Sequence, residues 1–480
     1  MTHTTAGELE LAPRQTARSL SGRVASVVLG ALFLAWPALY NGFPLLFPDS
    51  MTYLDDGRIV ARALFLHRFS EYYGLRSFFY SLGILPLHWN VTVWPVVALQ
   101  CLLVAFVLWL VVRAVLPRNT VAHYLVLVLL LSLFTSVGWY SSLILPDILG
   151  AAVYLSFALL VFARDTLSCA ERIALYLIAW WGITSHATHF LLAAFLCVLL
   201  AVVLLVERRP LRRILKSVGE VALILALAAA AQLWLHGYLY SHASLNGERP
   251  PFLMARVIAD GPGRWYLEKN CGHLNWAICG HLKSLPDDSD NFLWAPDGIW
   301  QTGTDDSNAQ LVCEEMPLAL ATLRAYPRQQ LSRFGGNFLL QLSRFGLYDL
   351  DPSSWVLDDF DSVLPAARAS YFRSRQPRAI IPLEFFTTVQ YGAVLASLGL
   401  LAIFLPLLGR RCPRRLVELG VVVACMVLAN GLLTGALSKP EDRYECRLIW
   451  LLPLLAVLSV QVRVSQREEP QPRSLSPIAF

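Results

Sequence analysis

Long uninterrupted runs of apolar residues constrain this chain more than any other feature of its sequence. Residues 91–112 and 121–145, for example, contain no Asp, Glu, Lys or Arg. Runs of about 17–25 residues have the length that a helix needs to cross the hydrocarbon core of a bilayer. A large soluble core would instead show amphipathic periods in which polar residues interrupt each run. Charged residues are 15% of the 480 residues, whereas soluble domains average about 25%. The sequence therefore predicts an all-α, polytopic integral membrane protein.

The positions of these runs predict ten membrane-spanning helices. They lie at residues 24–42, 91–112, 121–142, 147–163, 172–185, 190–206, 219–238, 384–407, 416–436 and 447–463. Residues 172–185 and 190–206 also allow the alternative of a single long re-entrant segment. The first run follows about 22 polar residues and lacks a small-residue cleavage site, so we expect a retained anchor rather than a signal peptide.

Basic residues mark alternate connections between these segments. They are Arg14, Arg18, Arg23, Arg113, Arg118, Arg164, Arg172, Arg208, Arg209, Arg212, Arg213, Lys216, Arg410, Arg411, Arg414, Arg415, Arg463 and Arg467. Short connections rich in Lys and Arg remain on the cytoplasmic side, so both termini should be cytoplasmic. The tip at residues 439–447 departs from this rule because it places Lys439, Arg443 and Arg447 outside. Such an unfavourable exception indicates a functional role.

This topology divides the chain into five parts. Residues 1–23 form a cytoplasmic tail, 24–238 a transmembrane module with a first periplasmic loop at 42–90, 239–383 a periplasmic loop domain, 384–463 C-terminal transmembrane helices and 464–480 a second cytoplasmic tail. The 239–383 loop is too long for a connector, and its aromatic and turn residues are typical of a folded domain. Helical spacing from 317 to 347 predicts amphipathic helices, which either lie on the membrane surface or pack within the loop. Residues 58–80 also fit an interfacial helix.

Nine cysteines are distributed between the spans and both sides of the membrane. Cys271 and Cys279 lie in the large outer loop, where an oxidising exterior permits disulfide bonds. Their spacing is not that of a zinc site. We expect a Cys271–Cys279 disulfide, with free thiols as the alternative.

Acidic residues follow the first and third predicted spans on the outer side. Asp49 stands just beyond the first span, ahead of Tyr53, Asp55 and Asp56. A carboxylate at this boundary suits a general base acting on an acceptor hydroxyl, or a metal ligand. Alternatively, Asp49 caps a helix that starts at Ser50.

Three further outer positions carry polar side chains suited to binding. Asp147 follows Pro146 and is either a functional acid or a helix N-cap. His186 and His189 are spaced to share a helix face, which suits hydrogen bonding in a polar cavity, an interfacial position or a metal pair.

Arg443 and Tyr444 stand at the start of the last span. A guanidinium at that depth can pair bidentately with a phosphate, or simply anchor to lipid headgroups.

These short motifs, Pro48-Asp49-Ser50 with Tyr53, Leu145-Pro146-Asp147 and Arg443-Tyr444, together resemble the GT-C superfamily. Its members are polytopic glycosyltransferases that use polyprenyl-phosphate sugars, including protein mannosyltransferases and the aminoarabinose transferases of lipid A. The resemblance covers residues 24–240 and 384–463 and implies that Asp49 is the catalytic acid of the first loop. It further implies that Asp147 is the second-loop acid and that Arg443 contacts the lipid phosphate. Ser50 replaces the second acid of the commoner Asp-Glu pair, which leaves Asp55 or Asp56 as substitutes.

We therefore expect a transferase of the bacterial inner membrane that moves a sugar from a polyprenyl-phosphate donor to a periplasmic glycan, lipid or protein. Catalysis would involve Asp49 and Asp147, and substrate binding would involve Tyr53, Asp55, Asp56, His186, His189, Arg443 and Tyr444. A divalent cation is compatible with these residues but not required, and no nucleic-acid partner is expected. The alternatives are a flippase or transporter for lipid-linked saccharides, a glycan polymerase or ligase, and a non-catalytic scaffold.

Overall fold

The structure is a computed structural model that describes residues 11–69, 76–118, 120–240, 243–245, 247 and 249–468. Within these residues the chain forms helices and no strand, apart from an isolated parallel bridge between Leu45 and Leu143.

The first half of the chain contains eleven α-helices among the described residues. They are α1 (Leu11–Leu34), α2 (Trp36–Asn41), α3 (Pro48–Leu66), α4 (Phe78–His88), α5 (Trp94–Val115), α6 (Thr120–Phe134), α7 (Ser136–Ser141), α8 (Asp147–Phe162), α9 (Cys169–Thr184), α10 (Ala187–Val206) and α11 (Leu211–Tyr240). The second half contains α12 (Phe252–Ala259), α13 (Pro262–Asn270), α14 (Ser289–Leu293), α15 (Ile299–Thr302), α16 (Asp305–Ala325), α17 (Pro327–Ser343), α18 (Ser354–Val363), α19 (Arg368–Arg373), α20 (Leu383–Leu408), α21 (Arg414–Leu437), α22 (Asp442–Ile449) and α23 (Leu451–Glu468).

Six of the described helical segments are long and apolar enough to cross a membrane, judged by length and composition. They are Trp94–Val115, Ala187–Val206, Leu211–Tyr240, Leu383–Arg411, Arg414–Leu437 and Asp442–Arg467. Shorter apolar helices cover Ser21–Leu34, Phe78–His88, Thr120–Phe134 and Asp147–Phe162. The fold is helical, and its apolar helices fit a multi-pass membrane protein.

Each of the ten apolar segments identified in the sequence is helical, but three of them are broken. The breaks fall at Ala35, Thr135 and Trp450. At the second break, Thr135 Oγ1 accepts a hydrogen bond from the backbone of the next helix and so caps α7. At the third, Pro453 has no N–H group for the helical bond that would join α22 to α23. Residues 172–206 form two helices, α9 and α10, which meet at residues 185 and 186.

The prediction of one interfacial helix over residues 58–80 is wrong. Helix α3 ends at Leu66, and His67 follows in the left-handed conformation with φ of 52°. A second helix, α4, begins at Phe78, and residues 70–75 lie outside the described part of the chain. Helix α4 packs against α3 instead of continuing it.

Two of the three hydrophobic clusters among the described residues contain most of the buried apolar side chains. The larger cluster draws on the apolar helices, and α8 is buried along its whole length between α5, α9 and α21. The smaller cluster lies within residues 252–319 and centres on Met254, Ile258 and Phe292. In that segment Cys271 and Cys279 form a disulfide bond, the pairing that the sequence favours.

Helix α17 packs closely along α21 through two glycines. A Cβ atom at Gly435 would lie 2.7 Å from the carbonyl oxygen of Asn337, and one at Gly431 would lie 2.7 Å from the Leu342 side chain. Small residues four apart let two helix backbones approach in this way. The helices predicted over residues 317–347 are confirmed as the second half of α16 and the whole of α17, with Pro317 inside α16.

Ion pairs draw the predicted cytoplasmic connections together at one end of the bundle. Arg113 binds Glu171 at 2.6 Å, and Arg415 Nη2 lies 2.5 Å from Asp165. Arg414 pairs with Glu207. The residues singled out as candidate site residues are not part of these pairs.

Candidate functional site

Asp49 is held by two arginines from distant parts of the chain. Its Oδ1 accepts a hydrogen bond from Arg76 Nη2 at 2.6 Å, and its Oδ2 accepts one from Arg443 Nη1 at 3.0 Å. Helix α3 begins at Pro48, so Asp49 lies in the first helical turn instead of at the N-cap. The capping bond comes from Ser50, whose Oγ accepts the backbone N–H of Phe47 at 2.9 Å. The alternative in which Asp49 caps α3 is therefore wrong.

The charge state of Asp49 follows from these neighbours. Burial favours the neutral carboxyl and raises its pKa, but the positive charges of Arg76 and Arg443 act in the opposite direction and prevail. The pKa of Asp49 is lowered below its ordinary value of 3.8. Asp49 is therefore an anion at neutral pH and, while both pairs persist, a weak base.

Arg443 sits on an aromatic platform at the start of α22. Its guanidinium lies 4.4 Å from the ring centroid of Phe47 and 5.1 Å from that of Tyr444. Its backbone N–H donates to Asp349 Oδ2 at 2.7 Å. Planar guanidinium groups stack well on aromatic faces and leave their N–H edges free to bind oxyanions. The position of this cation is thus fixed before any ligand arrives.

Arg447 lies one helical turn beyond Arg443 and is completely buried. Its Nη2 donates to Asn430 Oδ1 at 2.6 Å, and its guanidinium lies 5.6 Å from the Tyr444 ring. Its Nη1 approaches Asp147 Oδ1 at 3.6 Å without a hydrogen bond. Helix α8 begins at Asp147 with Pro146 in the capping position, so the N-cap alternative for Asp147 is also wrong.

The two histidines lie together beside this buried ion pair. The ring centroids of His186 and His189 are 5.1 Å apart. His186 Nδ1 accepts the backbone N–H of Thr188, and His189 Nδ1 lies 2.9 Å from the Gly182 carbonyl oxygen. Burial, and then the charges of His189 and Arg447, lower the pKa of His186 well below its usual value. A neutral ring at this position favours hydrogen bonding over a cationic role.

The remaining first-loop candidates divide along α3. Tyr53 is buried one turn beyond Asp49, with its ring edge-on to Tyr80 at 4.9 Å. Asp55 instead pairs with Arg58 at 2.6 Å near the surface. Asp56 is buried two turns beyond Asp49, and burial followed by the charge of Asp55 raises its pKa to about 7. Neither Asp55 nor Asp56 forms an ion pair with Arg443, whose ion-pair partner is Asp49.

Asp49, Arg443, Asp147 and the two histidines form what we call the Asp49 cluster. Sequence reasoning missed four residues that complete it. Arg76 was one arginine among several in the first loop and carried no distinguishing signal. Asn430 is a polar residue well inside an apolar segment, which is a usable signal for a hydrogen bond between helices. Asp349 lay in the unassigned outer loop, and Arg447 was recognised only as an outer cation.

The cluster combines ionised oxygen ligands with cationic donors. Among the described residues, no group of three or more His, Cys, Asp and Glu side chains is arranged to hold a metal ion. An incoming phosphate would meet the N–H groups of Arg443, and an incoming hydroxyl would meet the carboxylate of Asp49.

Compared with known proteins, the chain matches no family model, no curated protein and no solved structure. Its function is therefore inferred from the chemistry of this cluster.

Proposed function

We propose that this chain is a GT-C-type glycosyltransferase of the bacterial inner membrane. It moves one sugar from a polyprenyl-phosphate donor to an acceptor on the periplasmic side. All ten apolar segments cross the bilayer in this proposal, and both termini are cytoplasmic. The alternation of basic connections supports this orientation.

The hydrogen bond between Asp49 and Arg443 carries the proposal. These residues are 394 positions apart in sequence, yet their side chains meet at 3.0 Å. Sugar transfer from a lipid phosphate needs a carboxylate near the acceptor hydroxyl and a cation near the departing phosphate. A contact between the first outer loop and the last apolar segment supplies both groups at one point.

The proposed reaction is a direct displacement at the anomeric carbon of the donor sugar. The acceptor oxygen forms a bond to this carbon while the bond to the phosphate oxygen breaks, and the bonding electrons leave with the lipid phosphate. The hydroxyl proton passes to Asp49 and then to water. Arg443 offsets the negative charge that grows on the phosphate.

Donor binding and base activation are coupled in this mechanism. The donor phosphate competes with Asp49 for the guanidinium of Arg443, whose hydrogen bond contributes to the low pKa of the carboxyl. When Asp49 loses its hydrogen bond to Arg443, less positive charge counteracts the effect of burial. The pKa of Asp49 therefore rises, and the carboxylate becomes a better base. Asp147 acts as a positioning residue, because its partner Arg447 and Arg443 flank the same Tyr444 ring.

The direct test is transfer of a radiolabelled monosaccharide from a polyprenyl phosphate in membranes that contain each variant. Loss of a general base typically lowers the rate by about 10²–10⁴-fold, so Asp49→Asn should show a loss of that size. Asp361→Asn is the matched control, since Asp361 also pairs with an arginine, Arg368, but lies at an exposed position outside the site. Equal abundance and insertion of both variants would exclude a folding defect. Full activity of Asp49→Asn would refute the proposal.

The same assay separates the alternative functions. A glycan polymerase should ignore a donor that carries one sugar, and a transporter should move the donor without consuming it. A scaffold should tolerate loss of every outer acid.

A further inference from the structure

A cavity of about 660 Å³ lies at the outer end of α20, beside the turn that carries Asp349. Tyr348 and Asp351 line one side of it, and Glu384, Phe385 and Thr388 line the other. The volume falls within the range of about 300–1,000 Å³ that is usual for small-molecule sites.

The chain segment beside this cavity is hydrogen-bonded to Arg443 and, through Gln376, to the residues that precede Asp49. The short 3-10 turn Tyr348–Leu350 forms part of the cavity wall. Within the turn, Asp349 Oδ2 accepts the backbone N–H of Arg443 at 2.7 Å. The Leu350 carbonyl accepts a bond from Gln376, whose Oε1 accepts the N–H of Leu46 just ahead of α3. The turn Tyr348–Leu350 thus links the cavity lining to the backbone of Arg443 and to the segment that precedes Asp49.

The lining specifies the chemistry of the ligand. Two carboxylates, Asp351 and Glu384, accept hydrogen bonds and repel anions, so the ligand must donate hydrogen bonds and carry no negative charge there. Tyr348 and Phe385 are 48% and 61% exposed and offer apolar faces beside these acceptors. Glu384 stands in the first turn of the apolar helix α20, so the cavity opens where that apolar segment begins.

We propose that this cavity binds the uncharged or amino-bearing sugar head of a lipid-anchored acceptor. The carboxylates accept hydrogen bonds from its hydroxyl or amino groups, the aromatic rings pack against its apolar faces, and its lipid chain extends along α20. This assignment deepens the proposed function, on which it rests. The cavity at Glu384 holds the part of the acceptor head that does not react, the reacting hydroxyl extends to Asp49, and the donor phosphate binds at Arg443.

Photolabelling of the full-length protein in lipid nanodiscs tests this assignment without requiring turnover. The two probes are a photoreactive dodecyl maltoside, with an uncharged sugar head, and a photoreactive dodecyl phosphate. Peptide mapping should find the maltoside probe at Tyr348 and Phe385 and the phosphate probe near Arg443. Glu384→Lys should lower maltoside labelling about tenfold or more, because it replaces a charged acceptor with a donor. Glu384→Gln keeps the side-chain size and should give a smaller loss.

Asp358→Lys provides the matched control, because it makes the same charge change at an exposed position outside the cavity. It should leave maltoside labelling unchanged. Maltoside labelling spread evenly over the apolar surface, or unchanged in Glu384→Lys, would overturn the assignment. So would equal labelling of the cavity by dodecyl phosphate. Failure of the transferase proposal would appear separately, as full sugar transfer by Asp49→Asn.

Discussion

The buried ion pair between Asp147 and Arg447 allows a quantitative test of the site. We consider the variants Asp147→Asn and Arg447→Met and the double variant that combines them. The side chains are only 4% and 1% exposed, and Nη1 and Oδ1 are 3.6 Å apart. Each single variant leaves the opposite charge buried without its ionic partner.

The expected magnitude follows from this geometry. Two unit charges at this separation attract by roughly 4–5 kcal/mol at an effective dielectric constant of about 20. Breaking a buried pair from one side costs about 3–5 kcal/mol, because the remaining charge stays in an apolar environment. The double variant removes both charges and should lose at least about 2 kcal/mol less than the sum of the single losses. The bond from Arg447 to Asn430 is lost in both Arg447→Met backgrounds and cancels in the comparison.

The assay is the free energy of unfolding of purified protein in mixed micelles titrated with sodium dodecyl sulfate. All four proteins should be compared at one pH and one lipid composition. Single losses that add to the double loss within about 0.5 kcal/mol would show that the two side chains do not interact.

Three further predictions concern single positions. Arg443→Met should raise the pKa of Asp49, because one fewer positive charge then opposes the effect of burial on the carboxyl. Infrared titration of the labelled Asp49 carboxyl should detect protonation at higher pH, and an unchanged titration would contradict the ion pair. Asp56→Asn should stabilise the protein above pH 7 and have little effect below pH 4, because the pKa of Asp56 is raised to about 7 and ionisation of this carboxyl opposes folding as the pH rises. The gain in the free energy of unfolding should approach roughly 4 kcal/mol. Gly435→Ala should destabilise the protein by about 1–3 kcal/mol through overpacking, whereas Gly420→Ala on the same helix meets open space and should leave stability unchanged. Equal stability of the two variants would contradict the close packing of α17 against α21.

The helices were largely predictable because the bilayer imposes a length and a lack of charge that are written directly in the sequence. Residues 91–112, for instance, correspond to α5 at Trp94–Val115 within a few residues. Breaks were not predictable in the same way. Thr135 interrupts an apolar run by capping a new helix, and hydropathy gives no sign of that local bond.

The candidate site was only partly predictable from the sequence. Asp49 and Arg443 stood out because each is a charged residue at the edge of an apolar run. Arg76, the second arginine bound to Asp49, could not be identified in this way. Its contact with Asp49 joins residues 27 positions apart, and no local sequence pattern indicates it. The Cys271–Cys279 disulfide was accessible because a separation of eight residues keeps the two thiols close in any compact fold.

Chemical crosslinking between positions 49 and 443 tests most directly whether these residues meet on the outer side of the membrane. Cysteines replace Asp49 and Arg443 in an otherwise cysteine-depleted protein, in sealed right-side-out vesicles. We predict that a membrane-impermeant maleimide blocks both cysteines from outside and that a short bifunctional thiol reagent joins them. If the maleimide blocked one of the two cysteines in right-side-out vesicles and the other only in inverted vesicles, the two residues would lie on opposite sides of the bilayer. That result would contradict the proposed site.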